Sequence, residues 1–314
     1  MQCDWKMTDE GLEKQKEAKG MGKQQREAYG LIVFTFFIWG SVYVAGRAAS
    51  ATMPSYLVAC LRSIISVCPL WLMSRKYLPL RIAREDWKYF LLIGFLGYFL
   101  CIQSIQLGIQ LTGASMASLV NALTPVAITV FAALMLKEKI TLMKLICLLL
   151  ALAGTAVITA GASTKGELRG ILVVLLGVLG FSAASVLMRR LTVKYPPVLV
   201  TTVAMSFSLI FHVPVGIWCA ATQSAAIDLR GMLMVLYLGI AGSGIAQVTW
   251  TRALSILPAS TCSLFYPLQP FFSALLAAVF LRESFRVSFF IGLFLISLDV
   301  VLNTLEMKRQ VGEA

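Results

Sequence analysis

The sequence is poor in charged residues and in the side chains that usually bind metals. Asp, Glu, Lys and Arg make up 13% of the 314 residues, whereas typical soluble chains carry roughly a quarter. There is one histidine, and the seven cysteines form no C-x-x-C pair, which argues against zinc or iron–sulfur ligation. No Gly-rich phosphate loop and no nucleophile–base motif is present. We therefore predict that the protein is not an enzyme and needs no cofactor and no metal.

Long apolar runs fill the chain instead. Hydrophobic residues make up 59% of the sequence, and the mean hydropathy is +0.83. The runs are about 20 residues long, which suffices for a helix to cross the hydrocarbon core, and they lack the alternation of barrel strands. The sequence therefore predicts an all-α integral membrane protein with ten transmembrane helices. The predicted spans are Tyr29–Ala49, Pro54–Met73, Lys88–Ile109, Gly113–Leu136, Thr141–Gly161, Leu168–Arg189, Pro197–Cys219, Arg230–Ala253, Pro258–Leu281 and Arg286–Glu306.

Charge is distributed unevenly along this pattern. Residues 1–28 are polar and are predicted to form a disordered or weakly helical tail, and residues 307–314 form a short second tail. The net charge is +12, but most Lys and Arg residues fall on the side of the amino terminus. This bias follows the positive-inside rule. It predicts a multi-pass protein of the plasma membrane (the cell inner membrane) with both termini in the cytoplasm, and no binding of nucleic acid.

One stretch of the chain occurs twice. At an offset of 145 residues, "SLVNALTPVAITVFAALMLKE" aligns without gaps with "SLFYPLQPFFSALLAAVFLRE", so that Pro125 falls on Pro270. At an offset of 142, Trp39 falls on Phe181. An internal duplication explains these matches. Each half then contains five spans, and because five is odd, we predict two inverted five-helix repeats, residues 29–162 and 167–306.

Three prolines interrupt the duplicated helices, namely Pro125, Pro267 and Pro270. A proline inside a helix leaves the carbonyl one turn earlier without its donor. Pro125 is predicted to free the carbonyl of Asn121, and Pro270 that of Tyr266. A free carbonyl should face protein or a wet cavity rather than lipid. A packing kink without functional consequence is the alternative.

These residues resemble a known family. "SLVNALTPVAITVFAALMLKEKITLMKLICLLLALAGTAVI" and "TRALSILPASTCSLFYPLQPFFSALLAAVFLRE" look like the two EamA-type repeats of the drug/metabolite transporter superfamily. "FIWGSVYVAGR", "ACLRSI" and "GELRGILVVLLGVLGFSAASVLMRRL" resemble its first, second and sixth helices. The resemblance implies a five-plus-five inverted fold with a central cavity lined by helices 1, 3, 4, 6, 8 and 9. It also implies export of amino acids and other small metabolites.

Polar and aromatic residues within the spans are the candidates for binding substrate, because polar groups in a membrane are costly and usually functional. Arg62 is predicted to pair with a substrate carboxylate, with a structural clamp as the alternative. The other candidates lie on helices that the resemblance makes cavity-lining. The full set is Trp39, Tyr43, Arg62, Gln103, Gln106, Asn121, Thr124, Gln247, Trp250, Tyr266 and Gln269.

The leading hypothesis is a secondary transporter that exports amino acids by alternating access. Efflux of amphipathic drugs is the alternative within transport, and an integral membrane lipid-modifying enzyme is the alternative from another class. The predicted partners are a small-molecule substrate and the lipid bilayer, and homodimer formation is left open. His212 is interpreted as a structural histidine. Asp299 belongs to a peripheral helix, so we expect no obligatory proton coupling.

Overall fold

Helices make up nearly all of the described chain. The structure, a computed structural model, describes residues 9–77, 82–136, 165–224, 228–257 and 268–282, together with isolated positions between 259 and 298. Within these ranges the secondary structure is helical, as the sequence predicted. The helices are α1 (Asp9–Ala49), α2 (Ser55–Ser74), α3 (87–112), α4 (Ala114–Asn121), α5 (Thr124–Leu136), α6 (Lys165–Thr192), α7 (Pro197–Thr222), α8 (Leu229–Ile256) and α9 (Leu268–Leu281).

Seven helical segments of the described residues are long and apolar enough to cross a membrane, which confirms a multi-pass membrane protein. Their bounds agree with the predicted spans to within a few residues. They are Gln24–Ala49, Ser55–Tyr77, Arg84–Thr112, Ala114–Met135, Glu167–Thr192, Pro197–Thr222 and Leu229–Ile256. The shorter apolar helix α9 occupies part of the ninth predicted span. The fifth predicted span lies outside the described residues, as does most of the tenth.

Helix α1 extends beyond the first predicted span into the polar amino-terminal segment. Residues 9–28 were expected to be disordered or weakly helical, and in the structure α1 begins at Asp9 and continues without interruption into the first span. Glu, Lys, Gln and Ala are good helix formers. Adding residues to an existing helix avoids the cost of nucleation. The first span therefore supplies the nucleus from which this polar segment extends as a helix.

Helices α3 and α8 share an uncommon feature at matching positions. Residues Ile93–Leu100 of α3 and Leu238–Ile245 of α8 are π-helical, and the two segments are 145 residues apart, the offset of the duplication. Both contain a pair of glycines three residues apart, Gly94 and Gly97 in the first and Gly239 and Gly242 in the second. π-Helical segments are rare and are frequently found at functional sites. The repeat is therefore visible in local backbone geometry as well as in sequence.

The two sequence halves interleave rather than pack as separate bodies. Helix α3 of the first half packs against α6 and α7 of the second, whereas α8 of the second half packs against α1 and α2 of the first. Glycines permit the close approach. A Cβ atom on Gly94 would lie 2.6 Å from the carbonyl oxygen of Ala204, and one on Gly239 would lie 2.9 Å from that of Arg62. Both distances are too short for a side chain, so these crossings require glycine.

The fourth and ninth spans are interrupted close to their prolines. Helix α4 ends at Asn121, and α5 begins at Thr124, one residue before Pro125. The Asn121 carbonyl accepts a hydrogen bond of 2.5 Å from the Thr124 hydroxyl. Pro270 is in the first turn of α9, where the Tyr266 carbonyl accepts the Gln269 N–H at 2.9 Å. Both carbonyls that the prolines free are thus bonded locally. Pro267 lies outside the described residues.

Candidate functional site

A narrow cavity lies in the interior, between residues of both sequence halves. Its volume is about 50 Å³, which is well below the roughly 300–1,000 Å³ of ligand pockets. A metabolite therefore requires the surrounding helices to move apart. The lining residues are Trp39, Val42, Tyr43, Arg62, Cys101, Ile102, Ile105, Asn121, Phe181, Gln247, Tyr266 and Gln269. Seven of these twelve belong to the set that the sequence predicted.

Aromatic rings form one wall of this cavity. The ring centroids of Trp39 and Phe181 are 5.7 Å apart, in an edge-to-face arrangement. Trp250 packs behind them, 5.5 Å from Trp39 and 5.9 Å from Tyr266. Aromatic pairs at these separations stabilise one another beyond the burial of their area. The cluster offers a firm apolar surface to a ligand that enters the cavity.

Arg62 supplies the positive charge of the cavity. Its side chain is 5% exposed, and its Nε donates a 2.9 Å hydrogen bond to the hydroxyl of Ser243 on α8. No carboxylate among the described residues lies within ion-pair distance of the guanidinium. Insertion of an arginine at the centre of a membrane helix costs about 2.5–3.5 kcal/mol on biological scales. A buried and weakly paired cation of this kind favours an anionic ligand.

Amide groups face the cavity from the two interrupted helices. The Asn121 side-chain nitrogen donates a 3.0 Å hydrogen bond to Gln269 Oε1. This bond directly connects the interruption of the fourth span to that of the ninth. Two further polar atoms of the lining have no hydrogen-bond partner within the described part of the chain, the Tyr43 hydroxyl and Gln247 Oε1. Buried polar groups are rarely left unpaired. These atoms can bind the polar groups of a small solute.

Four predicted site residues do not line the cavity. Trp250 is fully buried in the aromatic cluster, and Thr124 bonds the Asn121 carbonyl. The Gln106 side-chain nitrogen donates to the Gly46 carbonyl at 3.0 Å and to the Ser50 hydroxyl at 2.9 Å, which ties α3 to α1. Gln103 is buried away from the lining. A helix has only one face toward the cavity, and spacing alone did not identify that face on α3.

His212 lies on α7 and does not line the cavity. Its Nδ1 is 3.1 Å from the carbonyl oxygen of Ser208, and its Nε2 is 3.3 Å from the hydroxyl of Ser63 on α2. The carbonyl can only accept, so Nδ1 carries the proton of this hydrogen bond. The ring therefore connects α2 and α7. Asp299 lies outside the described residues.

Several site residues escaped the sequence-based prediction. Val42, Ile102 and Ile105 are apolar, and in a chain that is largely apolar nothing separates them from residues that face lipid. Phe181 carried a usable signal, because it falls on Trp39 in the duplication and the two rings are in contact in one wall of the cavity. Ser243 carried no such signal in the sequence, because its hydrogen bond to Arg62 depends on the approach of α2 to α8.

Comparison with known proteins identifies relatives of the chain. The chain matches the EamA-like transporter family twice, over residues 27–160 and 168–305. It is 25% identical over 296 residues to the uncharacterized transporter YetK of Bacillus subtilis (strain 168), covering 91% of this chain and 89% of YetK. An uncharacterized transporter of Archaeoglobus fulgidus is 24% identical over 275 residues, covering 87% of this chain and 96% of that protein. A protein of known crystal structure, 23% identical, shares the fold with a TM-score of 0.67 and covers 88% of this chain and 98% of its own.

Proposed function

This chain belongs to the EamA-like transporter family and is a membrane transporter, and we propose that it is a secondary transporter that exports amino acids or similar small metabolites. Arg62 is the observation that carries the proposal. A buried guanidinium with one hydrogen bond lines the same cavity as the aromatic wall. A guanidinium binds carboxylates bidentately, and aromatic faces bind apolar groups. The cavity thus suits a small solute with a carboxylate at one end and an apolar side chain at the other.

The remaining site residues take complementary roles in this proposal. The amides of Asn121, Gln247 and Gln269 and the Tyr43 hydroxyl bind the amino group or other polar groups of the substrate. Trp39 and Phe181 contact the side chain. Tyr266 closes the aromatic wall. A substrate held in this way has one preferred orientation, because Arg62 falls on Ala204 at the repeat offset of 142 and so has no charged counterpart in the second repeat.

Alternating access through inverted repeats is the mechanism that we propose. The π-helical segments and the interrupted helices recur at an offset of 145 residues. We propose that the protein lies in the plasma membrane with both termini in the cytoplasm, as the distribution of Lys and Arg predicts. We also propose facilitated transport or exchange, without obligatory proton coupling.

Counterflow in proteoliposomes tests this function. Vesicles containing the purified protein are loaded with one unlabelled solute from a panel of amino acids, nucleosides and cationic dyes, and uptake of the labelled solute is followed. We expect counterflow of amino acids that is insensitive to a protonophore. Counterflow of cationic dyes alone would instead identify a drug transporter. A pH-driven accumulation that is lost in Asp299→Asn would refute the absence of proton coupling.

A further inference from the structure

The helices around the cavity group into two tight bundles, each built from both sequence halves. The first, called the α3 bundle, contains α3, α6 and α7. A Cβ atom on Gly97 would lie 2.5 Å from that of Ala184 on α6, and Gly94 approaches α7 as closely. The second, called the α8 bundle, contains α8, α1 and α2, and there a Cβ atom on Gly242 would lie 2.6 Å from Val42 Cγ2 on α1. Such close packing leaves little freedom within a bundle.

Polar contacts hold each bundle together at one membrane face. At the start of α3, Asp86 accepts hydrogen bonds from the Tyr195 hydroxyl at 2.8 Å and from Lys194 at 3.1 Å. Both partners lie between α6 and α7. At the start of α8, Asp228 accepts a 3.0 Å hydrogen bond from the Thr52 hydroxyl, between α1 and α2. Because these contacts are internal to the bundles, each bundle is suited to move as a unit.

The two bundles meet on two sides. Helices α2 and α7 pack along one another, with Gly216 against Cys60 and Ser63 near His212. This side of the interface is continuous and suits a hinge. The cavity lies on the other side, where α1 faces α3 and α8 faces α6. Opening on that side gives access to the cavity from one membrane face or the other.

Two arginines bridge the bundles on this cavity side, one near each membrane face. Arg47, at the end of α1, donates from Nη1 to the carbonyl oxygens of Ile109 at 3.2 Å and Gln110 at 2.7 Å, at the end of α3. Arg189, near the end of α6, donates from Nη1 to the carbonyl oxygens of Leu254 and Leu257, both at 2.6 Å, around the end of α8. Helices α1 and α6 run in opposite directions through the cavity region, so the two contacts lie at opposite faces.

The two contacts are copies of one another. Arg47 falls on Arg189 at the offset of 142, and Ile109 falls on Leu254 at the offset of 145. In both, a cation binds the carbonyl end of a helix, where the helix dipole is negative and the last carbonyls have no partner within the helix. Such carbonyls can be hydrated at the membrane surface. The contacts can therefore break and re-form without leaving a buried charge unpaired.

We propose that Arg47 and Arg189 are the two gates of the transport cycle, each closing one membrane face of the cavity by joining the α3 bundle to the α8 bundle. This inference rests on the proposed transport function. Both gates are formed in this structure, and the cavity between them is narrow. The Arg189 gate has the shorter hydrogen bonds. At the face that carries Arg47, the hydrogen bonds of Gln106 to the Gly46 carbonyl and the Ser50 hydroxyl also join α3 to α1, so opening there must break these contacts as well.

Accessibility of Cys101 tests the gates without a substrate. Cys101 lines the cavity and is 6% exposed, so its reaction with a membrane-impermeant maleimide reports opening toward the face where the reagent is added. The measurement uses a variant that retains Cys101 as its single cysteine, in vesicles of each orientation. We expect Arg189→Met to raise the labelling rate from the Arg189 face by about fivefold or more, and Arg47→Met to do the same from the Arg47 face.

Neighbouring arginines provide matched controls. Arg190 stands next to Arg189 but packs over the ring of Tyr89 at 4.7 Å, and Arg230 is exposed on the face that carries Arg47. Their Met variants should change labelling by less than about twofold, as expected for exposed charges. Arg189→Lys retains the charge but replaces the planar guanidinium with a single ammonium nitrogen, and it should give an intermediate rate. This milder variant keeps the test valid if Arg189→Met does not fold.

The double variant gives the sharpest test. Two gates that act on one equilibrium shift it in opposite directions, so Arg47→Met combined with Arg189→Met should restore the wild-type ratio of labelling from the two faces. Equal increases from both faces in each single variant would refute the gates and indicate loosened packing. Counterflow is measured on the same samples. Normal counterflow with unchanged labelling overturns the gates alone, whereas the expected labelling without counterflow of any solute overturns the proposed function alone.

Discussion

Replacing Arg62 with glutamine should remove the ability of the cavity to recognise a carboxylate. Ser243 occupies the Nε hydrogen of Arg62, which leaves the N–H groups of both terminal nitrogens for a bidentate contact. Truncating one partner of a buried, hydrogen-bonded charge pair costs about 2–5 kcal/mol. At about 1.4 kcal/mol for each factor of ten, the dissociation constant rises by about 30-fold or more. We expect a value near the lower end, because the open cavity admits water and weakens the interaction.

Calorimetric titration of the purified protein provides the assay. The ligands are the amino acid identified by counterflow and its carboxamide, which has the same shape without the negative charge. Wild type should bind the amino acid more tightly, whereas Arg62→Gln should bind both ligands with similar affinity. Ser243→Ala keeps the charge but loses the group that orients it, so it should weaken binding by about tenfold and preserve the discrimination.

The two explanations of Arg62 differ in what is lost. If Arg62 is a clamp between α2 and α8, the Gln variant should lower the melting temperature and leave the preference for the carboxylate intact. That outcome would refute its role as an anchor. Retention of a normal melting temperature together with lost discrimination would support the anchor.

Three further predictions concern packing, the cavity and topology. Gly239→Ala should destabilise the protein by about 1–3 kcal/mol through overpacking against α2, whereas Gly30→Ala, where a Cβ atom would meet nothing within 4 Å, should be neutral or stabilising. Chemical unfolding compares the two. Asn121→Leu breaks the hydrogen bond to Gln269 and should lower counterflow by about tenfold with little change in melting temperature. If the amount of folded protein falls as much as the counterflow does, the break at Pro125 is a packing kink. Single cysteines at positions 80 and 165 should react from the cytoplasmic and outer sides, respectively, and the opposite pattern would refute the proposed orientation.

The sequence predicted site residues correctly where a polar side chain interrupts an apolar span. Arg62, Gln247 and Gln269 stand out in the sequence because polar groups are costly in a membrane, and all three line the cavity. The same criterion failed for Gln106, which is equally polar but bonds the backbone of α1. A polar residue needs a partner, and composition does not indicate whether that partner is a ligand or another helix.

The sequence by itself determined the helical membrane fold, the approximate ends of the spans and the duplication. Hydropathy decides these features locally, because every backbone polar group in lipid must be bonded within its own segment. The tertiary structure decided which faces meet. Three features depend on contacts between residues far apart in sequence. They are the packing of α3 against α6 and α7, the presence of Phe181 and Cys101 in the cavity lining, and the hydrogen bonds of Arg47 and Arg189 to the ends of distant helices. Lipid and a packed helix are both apolar surroundings, so hydropathy alone cannot distinguish a side chain that faces one from a side chain that faces the other.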